Sequence, residues 1–404
     1  WAKEMDIVSW DNYPAYDTPW SMTAMCHDLM RGLKQMPFML MEQTPSQQNW
    51  QPYNSLKKPN QMRAQSYQTI ARGADTIQFF QLRQSVGACE KFHGAVIAHS
   101  GDEHNRVFRE VAKLGSELEK FGQAYIGAKN NADVGIIFDW ENYWALEYAS
   151  GPHVDLKYVD QIHKGYRYFY EKNIPINMIS VGADFNEYKL IIAPLLYMLE
   201  NETAARLEEF VENGGVLVTG MMSGTADLND NVHLGGYPGP LRKLAGIRVE
   251  ERDALAPQQK NKLFFTDGSR HDCRLICEII HPEGAEALAL YGEDFYKGSP
   301  GITKNVFGKG GVYYVGTEPS DEAAGKIFDM AVKDAGAAPA IPEPTRLEIV
   351  CRNKNDKKIF FVMNFKNEPL PLPECFAGDK DMLTGDILHS GALINQYGVL
   401  IIEK

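Results

Sequence analysis

The sequence predicts an α/β protein made of three successive parts, and the order of its apolar and amphipathic segments supports this prediction. In the first part, short continuous apolar runs alternate with stretches of helical period, which is the pattern of buried parallel strands covered by helices. Near Ala132 the same alternation begins again. After a proline-rich linker at 337–345, only short strand-like runs separated by turn signals follow.

The first part, residues 1–130, contains three predicted strand–helix units. The predicted strands lie at 4–14, 37–41 and 76–84, and the predicted helices lie at about 19–34, 59–74 and 105–125. In the first helix, Met25, Leu29 and Leu33 recur at intervals of four residues, and Pro37 ends the pattern.

Polar residues gather at the C-terminal end of each predicted strand, at 11–13, 42–43 and 81–84. Active sites of (β/α)8 barrels collect at that face of the sheet. A closed barrel needs eight strand–helix units, so about five more would have to precede Trp1. The sequence therefore predicts the C-terminal part of such a barrel.

The second part, residues 131–338, is predicted to be another α/β layer structure. Its predicted strands include 132–139, 175–180, 189–194 and 214–220, with a helix at 201–213 between the last two. This succession resembles a flavodoxin or glutamine-amidotransferase sheet. An amidotransferase carries a catalytic Cys on a sharp turn after a strand, but 190–199 contains no Cys, Ser or His. We therefore expect an assembly domain without catalytic residues of its own.

The third part, residues 339–404, is predicted to be a small antiparallel β-sandwich domain. Its strand-like runs lie at 346–353, 357–365 and 397–403, and an acidic, glycine-containing turn region separates the last two.

The charge of the chain limits the class of partner. The net charge is −12 and the isoelectric point is near 5.4. A nucleic-acid partner is not expected, because binding a polyanion needs a basic face. No apolar run approaches the roughly 18 residues of a membrane span, so no membrane association is expected.

The six cysteines predict a reducing, cytoplasmic location and no structural metal. They are scattered along the chain, and none forms a CxxC motif or a cluster with zinc spacing. They are Cys26, Cys89, Cys273, Cys277, Cys351 and Cys375. Buried free thiols are the simplest interpretation, and no cofactor is expected.

Glu42 directly follows the apolar run at 38–41, which places a carboxylate at the mouth of the predicted sheet. A buried, unpaired carboxylate costs several kcal/mol, on the order given by transfer data. Glu42 is therefore either satisfied by a structural partner such as an arginine or used in chemistry. The position of Glu42 at the end of an apolar strand supports both interpretations about equally.

Three nearby residues favour a sugar site. Trp50 follows Glu42 in the same loop, and a tryptophan beside a carboxylate can stack on the apolar face of a sugar ring. Glu90 and His93, three residues apart, can hydrogen-bond two hydroxyls of one pyranose. Each has an alternative role. Trp50 can cover an apolar patch, and Glu90 with His93 can form a surface pair or half of a metal site. A metal site needs at least three ligands, and Cys89 is the only other candidate near Glu90 and His93, so no metal is predicted.

Two longer motifs give a specific resemblance. MEQTPSQQNWQPYN at 41–54 and RQSVGACEKFHGAV at 83–96 resemble the signature stretches of family 42 glycoside hydrolases. These are β-galactosidases with a (β/α)8 catalytic domain, a flavodoxin-like trimerisation domain and a small C-terminal β domain. The same domain order is predicted for this chain.

The resemblance implies a role for each candidate residue. Glu42 corresponds to the nucleophile at the end of the seventh barrel strand, and Trp50 to the tryptophan that stacks on the substrate. Glu90 and His93 correspond to the pair that binds galactose hydroxyls. Tyr13, in the DNYP motif, corresponds to a tyrosine that hydrogen-bonds near the nucleophile.

The sequence also departs from the family pattern. Gln65 and Leu82 stand where the family leads us to expect tryptophans, and both changes remove aromatic bulk near the last helix and strand of the barrel. The family's general acid/base glutamate, its galactose-binding arginine and its cysteine-rich zinc site would all lie before Trp1.

The function implied is retaining hydrolysis of terminal β-D-galactosides from oligosaccharides by double displacement, with Glu42 as the nucleophile. One carboxylate without its partner cannot run this cycle efficiently, so the chain alone is expected to be inactive. The alternative is a non-catalytic, trimerising or sugar-binding scaffold that lacks the acid/base.

The resemblance also implies a homotrimer held by the second part of the chain. The aromatic segment 139–148 is a candidate for its interface or rim, because Trp and Tyr are enriched in interface cores. The alternative is that Trp140, Tyr143 and Trp144 pack inside one subunit.

Overall fold

The computed structural model describes residues 2–404, and the chain forms two compact units. Of the described residues, the first unit contains 2–131, Tyr170–Met178 and Pro339–Lys404, and the second contains Ala132–Phe169 and Ile179–Ala338. The N-terminal and C-terminal segments of the chain thus fold together in one unit.

The first unit begins with a small parallel sheet covered by helices. Its elements are β1 (Ser9–Asp11), α1 (Trp20–Gly32), β2 (Phe38–Glu42), α2 (Gln61–Ala71), β3 (Ala74–Ile77) and α3 (Arg106–Tyr125). The strand order is β1-β2-β3, and both pairings are parallel. Because Phe38 and Leu40 are fully buried, the central strand β2 forms the core of this sheet. The order of strands and helices agrees with the sequence-based expectation.

The third strand is shorter than predicted. The sequence predicts a strand over 76–84, whereas β3 ends at Ile77. The next residues still follow β2, because Gln78 N–H donates to Leu40 O at 3.1 Å and Phe80 N–H donates to Gln43 O at 3.1 Å. Beyond Phe80 the chain turns into a long loop that carries the second signature motif.

The C-terminal segment adds two small antiparallel sheets to the same unit. Their strands are β15 (Glu348–Lys354), β16 (Lys357–Met363), β17 (Leu370–Pro371), β18 (Leu393–Ile394) and β19 (Val399–Glu403), in the orders β15-β16-β19 and β17-β18. Residues 359–363 of the central strand β16 are all buried. Because successive side chains of a strand point to opposite faces, both faces of this strand are covered. Phe361 and Met363 pack in the same core as Tyr67 of α2, while Phe360 and Val362 pack against the C-terminal loops.

Buried charges join this C-terminal sheet to the helices before it. Arg72, at the end of α2, binds Asp28 of α1 at 2.9 Å and Glu348 of β15 at 2.8 Å. Arg352 of β15 is fully buried and donates to the carbonyls of Ile70, Ala74 and Ala128 and to the carboxylate of Asp75.

The second unit is built on a mixed sheet. Its helices are α4 (Trp140–Tyr148), α5 (Tyr158–Glu171), α6 (Asn201–Glu212), α7 (Arg242–Ala245) and α8 (Asp321–Ala335). Its strands are β4 (Val134–Ile137), β6 (Leu190–Ala193), β7 (Val216–Gly220), β8 (Ile247–Ala254), β9 (Asn261–Phe265), β10 (Arg270–Pro282), β11 (Glu286–Tyr291), β12 (Pro300–Phe307), β13 (Gly310–Val315) and β14 (Thr317–Pro319), and β5 (Ile176–Ile179) falls at the boundary of the two units.

Strands β4, β6, β7 and β13 of this sheet run parallel, as the alternation of strands and helices predicts. The sheet then continues with antiparallel strands in the order β12-β11-β9-β10-β14, and β8 pairs with β10. This antiparallel extension over 247–307 has no counterpart in the sequence-based expectation. Among the described residues, no helix is long and apolar enough to cross a membrane.

Replacement of the buried Arg352 tests how far the C-terminal sheet stabilises the first unit. We expect Arg352→Met to lower the free energy of unfolding by about 3–5 kcal/mol, because it leaves a carboxylate and several carbonyls without their buried partner. Urea denaturation followed by tryptophan fluorescence measures this change. Arg346→Met removes an exposed ion pair with Glu368 and should change stability by only about 0.5 kcal/mol. Equal effects of the two substitutions would contradict the proposed role of Arg352.

Candidate active site

Parallel pairing brings the C-terminal ends of β1, β2 and β3 to one edge of the sheet. Asp11 and Glu42 are partners in the β1–β2 register. The backbone around Glu42 is held from both sides, because Asn12 N–H donates to Glu42 O at 2.8 Å and Gln43 N–H donates to Gln78 O at 3.1 Å. The carboxylate at the end of β2 therefore stands on a backbone that neighbouring strands fix.

Tyr13 is the hydrogen-bond partner of Glu42. Its Oη donates to Glu42 Oε2 at 2.8 Å. Burial, and then the hydrogen bond to Glu42 and the charges of Glu42, Asp11 and Glu90, raise the pKa of Tyr13 far above its ordinary value. The phenol therefore stays protonated at neutral pH and acts as a donor. Burial and the charge of Glu42 also raise the pKa of Asp11.

Trp50 lies beside this pair. Its ring meets the Tyr13 ring edge-on at 4.9 Å between centroids and stacks on the His93 ring at 5.0 Å and 17°. The side chain is still 52% exposed. Trp50 thus has one face covered by an imidazole and a large apolar surface left open beside Tyr13, the hydrogen-bond partner of Glu42.

His93 is fully buried, and both of its ring nitrogens face oxygen atoms. Nδ1 lies 3.1 Å from Asn49 Oδ1 and Nε2 lies 3.2 Å from Phe80 O. Burial lowers the pKa of His93, although the Phe80 carbonyl and the charges of Glu90 and Glu42 act in the opposite direction. The ring therefore supports Trp50 and holds the loop. A sugar hydroxyl would have to replace one of its present partners.

Glu90 is partly buried and lies near Tyr13 and His93, since its charge influences the pKa of both after the larger effect of burial. Its carbonyl accepts a hydrogen bond from His93 N–H at 2.9 Å. The structure thus brings together all five residues predicted from the sequence, namely Tyr13, Glu42, Trp50, Glu90 and His93. Within residues 2–404, no group of three or more His, Cys, Asp or Glu side chains is arranged to hold a metal ion.

Two further residues belong to this region and were missed by the sequence analysis. Asn49 donates from Nδ2 to Cys89 O at 2.6 Å, which turns its Oδ1 toward His93. Lys57 is buried, and its Nζ donates to Thr44 O at 2.5 Å. Burial lowers the pKa of Lys57 to about 7. Asn49 could have been found from its place inside the first motif, whereas a lysine in a polar loop gives no signal of burial.

The two residues that depart from the family pattern have different surroundings. Gln65 is 4% exposed, and its Oε1 has no hydrogen-bond partner among the described residues. Leu82 is largely exposed. The structure thus has a buried amide at one position and an exposed leucine at the other.

Comparison with known protein families assigns almost the whole chain. Residues 1–121 match the β-galactosidase model, residues 132–337 match the β-galactosidase trimerisation domain, and residues 346–404 match the β-galactosidase C-terminal domain. These three matches, in this order along the chain, define the class as glycoside hydrolases. The chain belongs to the β-galactosidases of glycoside hydrolase family 42.

Individual relatives agree with this family. The chain is 51% identical over 411 residues to β-galactosidase BgaA of Planococcus sp. (strain 'SOS Orange'), covering 100% of this chain and 61% of that protein. It is 48% identical over 390 residues to β-galactosidase LacZ of Lactobacillus acidophilus, covering 96% of this chain and 58% of the relative. The crystal structure of β-galactosidase from Bacillus circulans sp. alkalophilus matches with a TM-score of 0.97 and 49% identity, over 100% of this chain and 61% of the other. The chain thus spans about three fifths of the length of these relatives.

The buried Lys57 predicts a pH dependence of stability. Its pKa is near 10.5 when it is exposed and about 7 in the folded protein. Between these values the unfolded state binds more protons, so the free energy of unfolding rises with pH. Lys57→Met removes this titration. Its stability relative to the wild type should therefore fall by on the order of 1–3 kcal/mol as the pH is raised through this window.

Urea denaturation at a series of pH values measures the difference. The matched control is Lys58→Met, which removes an exposed neighbouring lysine. Parallel stability profiles of wild type and Lys57→Met would show that Lys57 is not buried as described.

Proposed function

We propose that Glu42 is the nucleophile of a retaining β-galactosidase and that Tyr13, Trp50, Glu90 and His93 form the sugar site around it. The observation that carries this proposal is the hydrogen bond from Tyr13 Oη to Glu42 Oε2, with the ring of Tyr13 in edge-on contact with Trp50. The names of the relatives, all β-galactosidases, supply the substrate class.

The contact with Tyr13 suits a carboxylate that attacks. Tyr13 Oη donates to Oε2 at 2.8 Å and so fixes the orientation of the Glu42 carboxylate. No protein donor among residues 2–404 binds Oε1, so this oxygen is the one proposed to attack the anomeric carbon. Since the backbone of Glu42 is fixed by β1 and by the chain after β3, the attacking oxygen is held in place before substrate binds.

Retaining hydrolysis needs a second carboxyl, about 5–5.5 Å from the first, that protonates the leaving oxygen and later activates water. The family resemblance assigns this role to a glutamate on the fourth barrel strand, which is not among these 404 residues. We therefore propose that β1, β2 and β3 are the last three strands of a (β/α)8 barrel and that the acid/base is supplied by its earlier strands. Residues 1–130 would then be catalytic, 131–338 would form the trimerisation domain and 339–404 the small β domain.

The sugar-binding roles follow from the surroundings of each side chain. The exposed part of Trp50 can stack on the apolar face of galactose, next to the Glu42 carboxylate. Glu90 offers a carboxylate to sugar hydroxyls. His93 contributes through Trp50, on which its ring stacks, and through a hydroxyl that replaces Asn49 or Phe80 as its partner.

We also propose that the protein is a cytoplasmic homotrimer assembled through the second unit. Residues 132–337 match the trimerisation domain of the family. Tyr143 stacks on Tyr158 within the unit, but Trp140 and Trp144 keep large exposed surfaces. These two tryptophans are candidates for the subunit interface. All six cysteines are free, which supports a reducing compartment.

Glu42→Gln in the complete enzyme tests the catalytic proposal. We expect turnover of β-galactosides to fall by several orders of magnitude, roughly 10⁴-fold or more, because the amide cannot form the covalent glycosyl intermediate. A 2-fluoro galactoside with a good leaving group should label the wild-type enzyme, and peptide mass mapping should place the label on Glu42.

The matched control is Asp11→Asn, which changes the neighbouring carboxyl in the sheet register but leaves the nucleophile. It should still accept the label. A label on another carboxylate would refute the assignment of Glu42. An unlabelled complete enzyme would favour the alternative of a sugar-binding scaffold.

Trp144→Asp tests the assembly proposal. We expect it to shift the trimer toward monomer, because it places a charge in an apolar interface. Light scattering of the purified protein measures the mass. The control is Phe295→Asp, another exposed aromatic of the second unit, which should leave the trimer intact. A trimer that tolerates Trp144→Asp would remove the segment 139–148 from the interface.

A further inference from the structure

A second cavity lies in the first unit, beside the candidate active site but lined by other residues. Its volume is about 410 Å³. It is lined by residues of the segments 14–18 and 46–61 other than Trp50, by Trp20 of α1, by Gln65 of α2, and by Phe365 and Tyr397 of the C-terminal segment. Ligand pockets have volumes of roughly 300–1,000 Å³, so the space suits a small molecule.

Four glutamine amides and several hydroxyl groups form the polar part of this lining, and we call the space the glutamine cavity. The glutamines are Gln48, Gln51, Gln61 and Gln65. An amide offers both a donor and an acceptor, which is the chemistry that recognises a hydroxyl group. No carboxylate, histidine or cysteine is among the described residues that line the cavity, so the lining does not suit a metal ion.

The buried amide of Gln65 points to a ligand. Its side chain is 4% exposed, and its Oε1 has no hydrogen-bond partner within residues 2–404. A buried acceptor left without a donor is unfavourable. Because Gln65 also lines the glutamine cavity, a rotation of its side chain would bring this oxygen within reach of a hydroxyl donor there.

Aromatic rings supply the apolar part of the lining. Tyr16 and Tyr53 are 64% and 67% exposed, and their rings meet edge-on with centroids 6.0 Å apart. Deeper in the cavity, Trp20 stacks on Phe365 at 4.3 Å. Exposed aromatic rings next to amides match a sugar, which has both apolar C–H faces and hydroxyl edges.

The charge of the lining favours a neutral ligand. Its cationic side chains are Lys57 and Lys58. The Nζ atom of Lys57 already donates a hydrogen bond to Thr44 O. Burial lowers the pKa of Lys57 to about 7, so the side chain is only partly charged at neutral pH. A phosphate group would have little more than Lys58 to bind it.

We propose that the glutamine cavity is a second saccharide-binding site, for a neutral monosaccharide or disaccharide. It is distinct from the site at Glu42, because neither Glu42 nor Trp50 is part of its lining. The two sites share their loops. Gln48 donates to the carbonyl of Pro14, the residue after Tyr13, at 2.8 Å. It accepts a hydrogen bond from Gln51, the residue after Trp50, at 3.0 Å. A sugar held in the cavity therefore stabilises the loops that carry both aromatic rings of the active site.

Calorimetric titration with lactose tests this proposal in the complete enzyme carrying Glu42→Gln and Trp50→Ala, which neither cleaves the sugar nor stacks it at the first site. Lactose should still bind. Adding Gln65→Trp, which fills the cavity, should weaken this binding by roughly tenfold or more. Tyr53→Ala, at an exposed position that the fold tolerates, should also weaken it, whereas Leu82→Ala outside the cavity should not.

Three results would overturn the proposal. The first is that the doubly substituted enzyme does not bind lactose. The second is that adding Gln65→Trp or Tyr53→Ala leaves its lactose affinity unchanged. The third is that inorganic phosphate binds in the cavity in place of lactose. Circular dichroism confirms that each variant is folded. The use of Glu42→Gln rests on the proposed function. Release of galactose during the titration would contradict the role of Glu42, whereas loss of binding of intact lactose would contradict the second site, so the two failures are separate outcomes.

Discussion

The parallel pairing of β2 with its two neighbours is the constraint on which the rest of the site depends. It sets Glu42 opposite Asp11 and bonds the backbone on both sides of the carboxylate. A shift of one residue in this register would turn the Glu42 side chain to the opposite face of the sheet and expose the apolar residues Phe38 and Leu40. The same interactions that bury the strand therefore fix the position of the proposed nucleophile.

Electrostatics and aromatic packing then complete the site around that fixed point. Tyr13 stays a donor because burial and neighbouring carboxylates oppose its ionisation, and it holds one oxygen of Glu42. His93 stays buried, oriented by Asn49, and presents its ring to Trp50. Most of these contacts come from loops that are held by side-chain hydrogen bonds to backbone atoms. The shape of the site is therefore a property of the loops, while the position of the carboxylate is a property of the sheet.

The C-terminal segment contributes to this region through buried polar contacts as well as apolar packing. Arg352 and Glu348 reach into the helices and turns that precede and follow β3, where unpaired charges would be costly. Phe365 and Tyr397 also line the glutamine cavity. Residues 346–404 are thus part of the framework that holds the loops of the proposed site.

The sequence by itself determined the local features: the apolar run that ends at Glu42, the helices that follow each strand, and the two motifs and the DNYP stretch that contain the five candidate residues. These depend on side-chain periodicity and spacing, which are properties of neighbouring residues. Only the tertiary structure decided that β3 ends at Ile77, that residues 247–307 extend the second sheet with antiparallel strands, and that both nitrogens of His93 already have partners. It alone also showed the unpaired amide of Gln65 beside a cavity. These features depend on contacts between residues far apart in the chain, and no local pattern encodes them.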